Sequence, residues 1–235
     1  MTLDLTQGTP WKGALRFALP LLLGNLLQQL YNTADTIIVG NYVSDRALSA
    51  VGACTSLTML FTALALGFSI GAGVLAAQYF GAQKLGEVRR IAATSVVLFF
   101  ALGAVMSVLG AVLTRPLLAG LLQTPEALLE MAVTYFMIYA AGLIFQFGYN
   151  IAAALLRAIG DSKATLYFLL ASSLLNVVLD LLLVAVVKMG VAGAAIATVF
   201  SQLLSCVLSF WYMHRKYEFL RFSVRQLRFE PALAG

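Results

Sequence analysis

The apolar runs of this chain leave very few folds open to it. Six segments, at about 15–40, 48–80, 91–113, 127–157, 165–187 and 191–213, are long and apolar enough to cross a hydrocarbon core, and short polar loops separate them. Inside a bilayer a span must satisfy its own backbone hydrogen bonds, which makes each of these a helix. The expected fold class is therefore all-α: a polytopic membrane protein whose six transmembrane helices form one lobe. Composition agrees, since 61% of the 235 residues are hydrophobic and 11% are charged. A soluble domain is nearer half apolar and a quarter charged. Nothing is left over for a folded aqueous domain.

A formal charge of +5 could suggest a nucleic-acid partner, but the basic residues sit in caps between apolar runs, so none is expected. Twelve of the fifteen, from Lys12 and Arg16 through Lys84, Arg89, Arg90, Arg157 and Lys163 to Arg228, fall on one side when loops alternate. Only Arg46, Arg115 and Lys188 fall on the other. The positive-inside rule then places both termini in the cytoplasm of a multi-pass protein in the cell (inner or plasma) membrane, facing membrane lipid. Thr9-Pro10 reads as a helix start with Trp11 as an interfacial anchor, and the first apolar run is long enough to be retained rather than cleaved. Cys54 and Cys206 lie within spans and are expected to be buried free thiols; His214 sits at the last span's interfacial end. The tail, 215–235, carries Tyr217, Leu220, Val224 and Leu227 at helical spacing, with Arg221, Arg225 and Arg228 on another face. It reads either as a basic amphipathic segment on anionic headgroups or as a truncated linker.

Of the ten acidic residues, only Asp35 and Asp180 sit well inside a span. A carboxylate there costs about 3 kcal/mol or more, so its presence asks for a reason. Asn176 and Asp180 share a helix face at i and i+4. Counted from the outer loops at about 1.5 Å per residue, Asp35 is about 9 Å deep, and Asp180 and Thr198 are each about 12 Å deep. Asn176 lies one turn further in. One reading is a satisfied helix-packing pair. The other is a single oxygen-rich cluster for a shared proton or Na⁺, in which two close carboxyls titrate as a unit. Pro20 removes a backbone hydrogen bond from the first span and allows a bend there, whether fixed or moving. The Gly67-xxx-Gly71 motif reads as close packing, as does the ridge of Gly193, Ala197, Ser201 and Ser205 in the last span. Span four carries a polar stripe of Tyr135, Tyr139, Gln146, Tyr149 and Asn150. Thr124-Pro125-Glu126 reads as its capped start.

The ordered set of ALPLLLGNLLQQLYNTADTIIVGNYVSDRALSAVG, GAGVLAAQYFGA, LLRAIGDSKATL, NVVLDLLL and GVAGAAIATVFSQ resembles the multidrug and toxic compound extrusion (MATE) transporters, most of all a prokaryotic branch with an aspartate in span one. The resemblance implies secondary efflux of amphipathic or cationic, xenobiotic-like compounds in exchange for H⁺ or Na⁺, with no other cofactor and no enzymatic chemistry. It implies an ion or proton site at Asp35, Asn176, Asp180 and Thr198, with Na⁺ the candidate metal. It also implies substrate-cavity roles for Gln28 and Tyr31, and a hinge at Pro20. Members of the family have about twelve spans in two lobes. A second six-helix lobe, or a homodimer partner, is therefore implied, and the closing RFEPALAG resembles an inter-lobe linker.

An intramembrane aspartyl protease needs a GxGD signature, and the Gly160-Asp161 pair has Ala158 where the first glycine belongs. No phosphate-binding GxxxxGK[ST] loop occurs. A lipid-linked oligosaccharide flippase commonly needs basic residues in mid-span, and none is present here; a non-transporting membrane subunit or fragment is the remaining alternative.

Overall fold

The structure, a computed structural model, describes residues 10–221, and in the first helix the side chains from 18 onward except those of 20, 21 and 25. The side chains of Trp11 and Pro20 and most of the expected amphipathic tail therefore lie outside what the structure describes. Seven α-helices follow one another: α1 Pro10–Tyr42, α2 Asp45–Gly81, α3 Leu85–Pro116, α4 Glu126–Ala141, α5 Leu143–Ala158, α6 Ser162–Asp180 and α7 Val191–Lys216. Wider π-helical turns extend α3 over Leu117–Leu121 and α6 over Leu181–Val186, and a 3₁₀ turn, Glu218–Leu220, ends the described chain. No strand occurs among the described residues.

Four of these rods are long and apolar enough to cross a membrane, and α4 with α5 forms a fifth crossing bent by 46°. The sixth, α1, has ample length at 33 residues, but Gln28, Gln29, Asn32 and Asp35 make it less apolar than the others. The chain is a six-span lobe in which one span is broken and another is half polar.

The break puts a bend inside the span expected over 127–157. It falls at Gly142, where a side-chain Cβ would stand 2.6 Å from Val199 Cγ2 and 3.1 Å from Gln202 Oε1. Only a glycine lets α7 come this close. The start of α4 is also different from the expected cap. Pro125 has extended backbone (φ −54°, ψ 140°) and itself occupies the cap position, which leaves the Thr124 hydroxyl buried without a partner.

Small residues decide the other close approaches. A Cβ on Gly193 would lie 3.1 Å from the backbone of Leu183, and one on Gly103 would lie 2.9 Å from Ile144 Cα. The Gly67/Gly71 pair behaves otherwise. Both glycines are exposed and a Cβ on either meets nothing within 4 Å, so this motif makes no close packing within the lobe. Loop chemistry matches the helix starts: Ser44 accepts from Ala47 N at 3.1 Å to cap α2, and Asp161 accepts from Ala164 N at 3.3 Å to cap α6. Gly190 turns the chain from α6 into α7 at φ 62°, ψ −141°, a conformation suited to glycine.

The lobe is apolar outside and partly polar inside. Leu22, Leu26, Phe68, Val108 and Val112 are exposed, while Ser172, Asn176, Asp180, Thr198, Ser201 and Ser205 are buried. That inversion is what a lipid solvent selects, because apolar surface facing acyl chains costs nothing and polar groups must find shelter. Cys54 and Cys206 are buried free thiols. His214 is exposed at the end of α7. Helix α1 packs mainly along α6 and touches α2 and α7 far less, which leaves a gap beside it.

Candidate functional site

That gap is a cavity of about 610 Å³, walled by α1, α2, the α4–α5 break, α6 and α7. Gln28, Tyr31 and Asp35 reach it from α1, Asn176 from α6 and Thr198 from α7. Asp180 is wholly buried one turn beyond Asn176, near enough to Asp35 for the two carboxyls to interact. Three residues of the expected ion cluster, Asp35, Asn176 and Thr198, thus line the cavity together with the two expected cavity residues, while Asp180 lies behind Asn176 and does not line it.

The cluster is short of partners. Both oxygens of Asp180, Oδ1 of Asp35 and both polar atoms of Asn176 are buried with no hydrogen bond from the described residues. Leaving such groups unmatched is costly, more so for a charge. A proton between the two carboxyls supplies one missing donor. A hard cation held by the carboxylate, amide and hydroxyl oxygens satisfies several at once. Thr198 fits either role, since its hydroxyl donates to Ala194 O at 3.0 Å and keeps its lone pairs free.

The α4–α5 break shapes the opposite wall. Tyr139 Oη donates to Gln146 Oε1 at 3.0 Å, and Gln146 Nε2 donates to Thr62 Oγ1 at 2.8 Å. This relay links α4, α5 and α2 across the bend. Tyr135 and Tyr139 lie nearly parallel, with ring centroids 6.4 Å apart. These residues were visible in the sequence as the polar stripe of span four, but the stripe alone did not say which space it faced. Ser201 and Ser205 correct the small-residue reading of the last span. Gly193 and Ala197 serve packing, whereas the two serines line the cavity. At Pro20 the first helix is continuous.

The MatE family model matches residues 20–182, most of the chain. The chain belongs to the MatE family. Among its relatives, the probable multidrug resistance protein YpnP of Bacillus subtilis is 33% identical over 224 residues, covering 95% of this chain and 50% of that one. The probable multidrug resistance protein YoeA of the same organism is 29% identical, with 94% and 49% covered. A crystal structure of MATE in the bent conformation superposes with a TM-score of 0.88 at 27% identity, over 97% of this chain and 50% of that one. An outward-facing multidrug resistance MATE transporter of the MOP superfamily gives 0.89 at 26% identity, over 99% and 51%. The chain therefore spans about half the length of the MatE relatives it matches, and the half it spans has the fold of a MATE lobe.

Proposed function

We propose that this chain forms one lobe of a secondary efflux transporter that moves H⁺ or Na⁺ inward and an amphipathic or cationic compound outward. One observation carries the reading: carboxyls from different helices, Asp35 of α1 and the buried Asp180 of α6, lie near each other with buried, unmatched oxygens, beside a cavity large enough for a small molecule. Binding the ion at Asp35, Asn176, Asp180 and Thr198 favours one position of α1 against α6, and releasing it favours another. Substrate against Gln28 and Tyr31 biases the same element, which is how one ligand drives the other. Pro20 supplies the place where α1 bends. A second lobe, from a continuing chain or a second copy, provides the opposite wall that alternating access needs. Both termini face the cytoplasm in this arrangement.

No Lys or Arg is among the described residues lining the cavity, which weighs against a flippase of phosphate-linked lipids. The test is Asp180→Asn in the complete assembly, reconstituted in proteoliposomes with an imposed H⁺ or Na⁺ gradient. Ion-driven export is lost while insertion and folding persist. Undiminished export by that variant refutes the assignment.

A further inference from the structure

Five of the eight residues that α6 and α7 give to the cavity wall carry hydroxyl groups, and the protons of those hydroxyls are already committed. Ser172 Oγ donates to Leu169 O at 2.9 Å and Ser173 Oγ to the same carbonyl at 2.7 Å. Ser201 Oγ donates to Ala197 O at 2.8 Å, Ser205 Oγ to Ser201 O at 3.0 Å, and Thr198 follows the same pattern. In a low-dielectric interior a hydroxyl bonded back to its own helix keeps that bond, so each oxygen offers the cavity only lone pairs. Gln202 Oε1 on the same wall is buried without a donor. Across the space stands Asp35. The donors left on this wall are the amide nitrogens of Asn176 and Gln202.

A surface with this polarity reads more than charge. Resting on the transport reading above, we infer that the cavity selects cations bearing several N–H donors, such as guanidinium or primary ammonium compounds, over cations that carry none. A quaternary ammonium satisfies Asp35 by charge but covers the serine oxygens with methyl groups and removes their water without replacement, a loss that buried acceptors do not forgive. A guanidinium is weakly hydrated and presents five N–H groups in one plane, so it loses little on entry and meets acceptors on two sides. The tyrosine faces of the opposite wall favour either cation, since they act on charge alone.

A matched pair separates the two effects. Dodecylguanidinium and dodecyltrimethylammonium share chain length and charge and differ in donors. Their binding to the full chain in lipid nanodiscs is measured by calorimetry, with empty nanodiscs as the partition control. The guanidinium binds at least tenfold more tightly. The double variant Ser201→Ala, Ser205→Ala reduces that ratio at least threefold, by weakening the guanidinium and, with no serine oxygen left to dehydrate, by tightening the trimethylammonium compound. Equal binding, or a preference for the quaternary head, overturns the donor selectivity and leaves ion-coupled export untouched. Saturable binding of neither compound removes both this inference and the organic-cation part of the transport reading.

Discussion

Asp161 offers the sharpest test of how the lobe is held together at the end where α6 starts and α7 finishes. Its Oδ2 accepts from Tyr212 Oη at 2.8 Å, Lys216 Nζ at 2.8 Å and Tyr217 Oη at 2.5 Å, and its Oδ1 caps α6. Phe168, Tyr212, Tyr217, Phe219 and Phe80 continue the contact as a chain of rings with centroids 5.3–6.3 Å apart. Replacing Asp161 by alanine removes a helix cap, worth about 1 kcal/mol. It strips an acceptor from two phenols, about 1 kcal/mol each. It also frees a lysine that is 38% exposed, where solvent keeps the ion pair to a few tenths. Asp161→Ala therefore destabilises the lobe by about 3 kcal/mol, and Asp161→Asn, which keeps the cap, by about 2 kcal/mol. The pH dependence has a definite sign. Burial pushes the Asp161 carboxyl up, but hydrogen bonds from Lys216, Tyr217 and Tyr212 outweigh it and hold the group below its ordinary range. A depressed native pKa gives stability that is complete above the unfolded value of about 3.9 and is lost as pH falls through the native one. In reversible unfolding from mixed micelles, the gap between wild type and Asp161→Ala stays flat from about pH 5 to 8 and narrows only in stronger acid. A gap below about 1 kcal/mol, or one that closes near neutrality, refutes this account of the clasp.

Three further outcomes follow from packing and backbone geometry. Gly148→Ala places a Cβ 2.7 Å from Cys206 Sγ and 3.0 Å from Phe100 Cζ, and lowers stability by about 1–3 kcal/mol; adding Cys206→Ala restores part of the loss in the same unfolding assay. Gly190→Ala forces an alanine into φ 62°, ψ −141° and costs about 1–3 kcal/mol, read as a lower unfolding midpoint with an unchanged m-value. Cys54 and Cys206 are buried, so a charged maleimide labels neither in the folded lobe and both after denaturation, as mass spectrometry will show.

Much of this architecture was legible in the sequence because a bilayer reduces fold choice to counting apolar runs and reading the polar residues that interrupt them. Asp35 and Asp180 stood out for that reason, and depth counting aligned them with Asn176 and Thr198 without tertiary information. The interruption at Gly142 was not legible. A glycine in an apolar run costs a transmembrane helix little, and what breaks this one is the closeness of Val199 and Gln202, 57 and 60 residues further along. The small residues of α7 were ambiguous for a related reason. Glycine, alanine and serine all permit close packing, and only the position of a neighbour tells a packed serine from one facing a cavity. Gly67 and Gly71 show the converse, a packing motif with nothing packed on it inside the lobe. Gly160-Asp161, useful in the sequence only to set aside a protease, turned out to begin the clasp.

The central claim is that Asp35 and Asp180 form one buried pair that holds an exchangeable proton or cation. Dicyclohexylcarbodiimide, an apolar reagent that attacks protonated carboxyls, measures it directly when the lobe in Na⁺-free nanodiscs is treated and the adducts are mapped by mass spectrometry. The pair predicts one adduct per chain, on Asp35 or on Asp180 but not on both, protected by Na⁺ if that is the coupling ion and absent from the double asparagine variant. Two adducts on the same chain, or none while other carboxyls react, would contradict it.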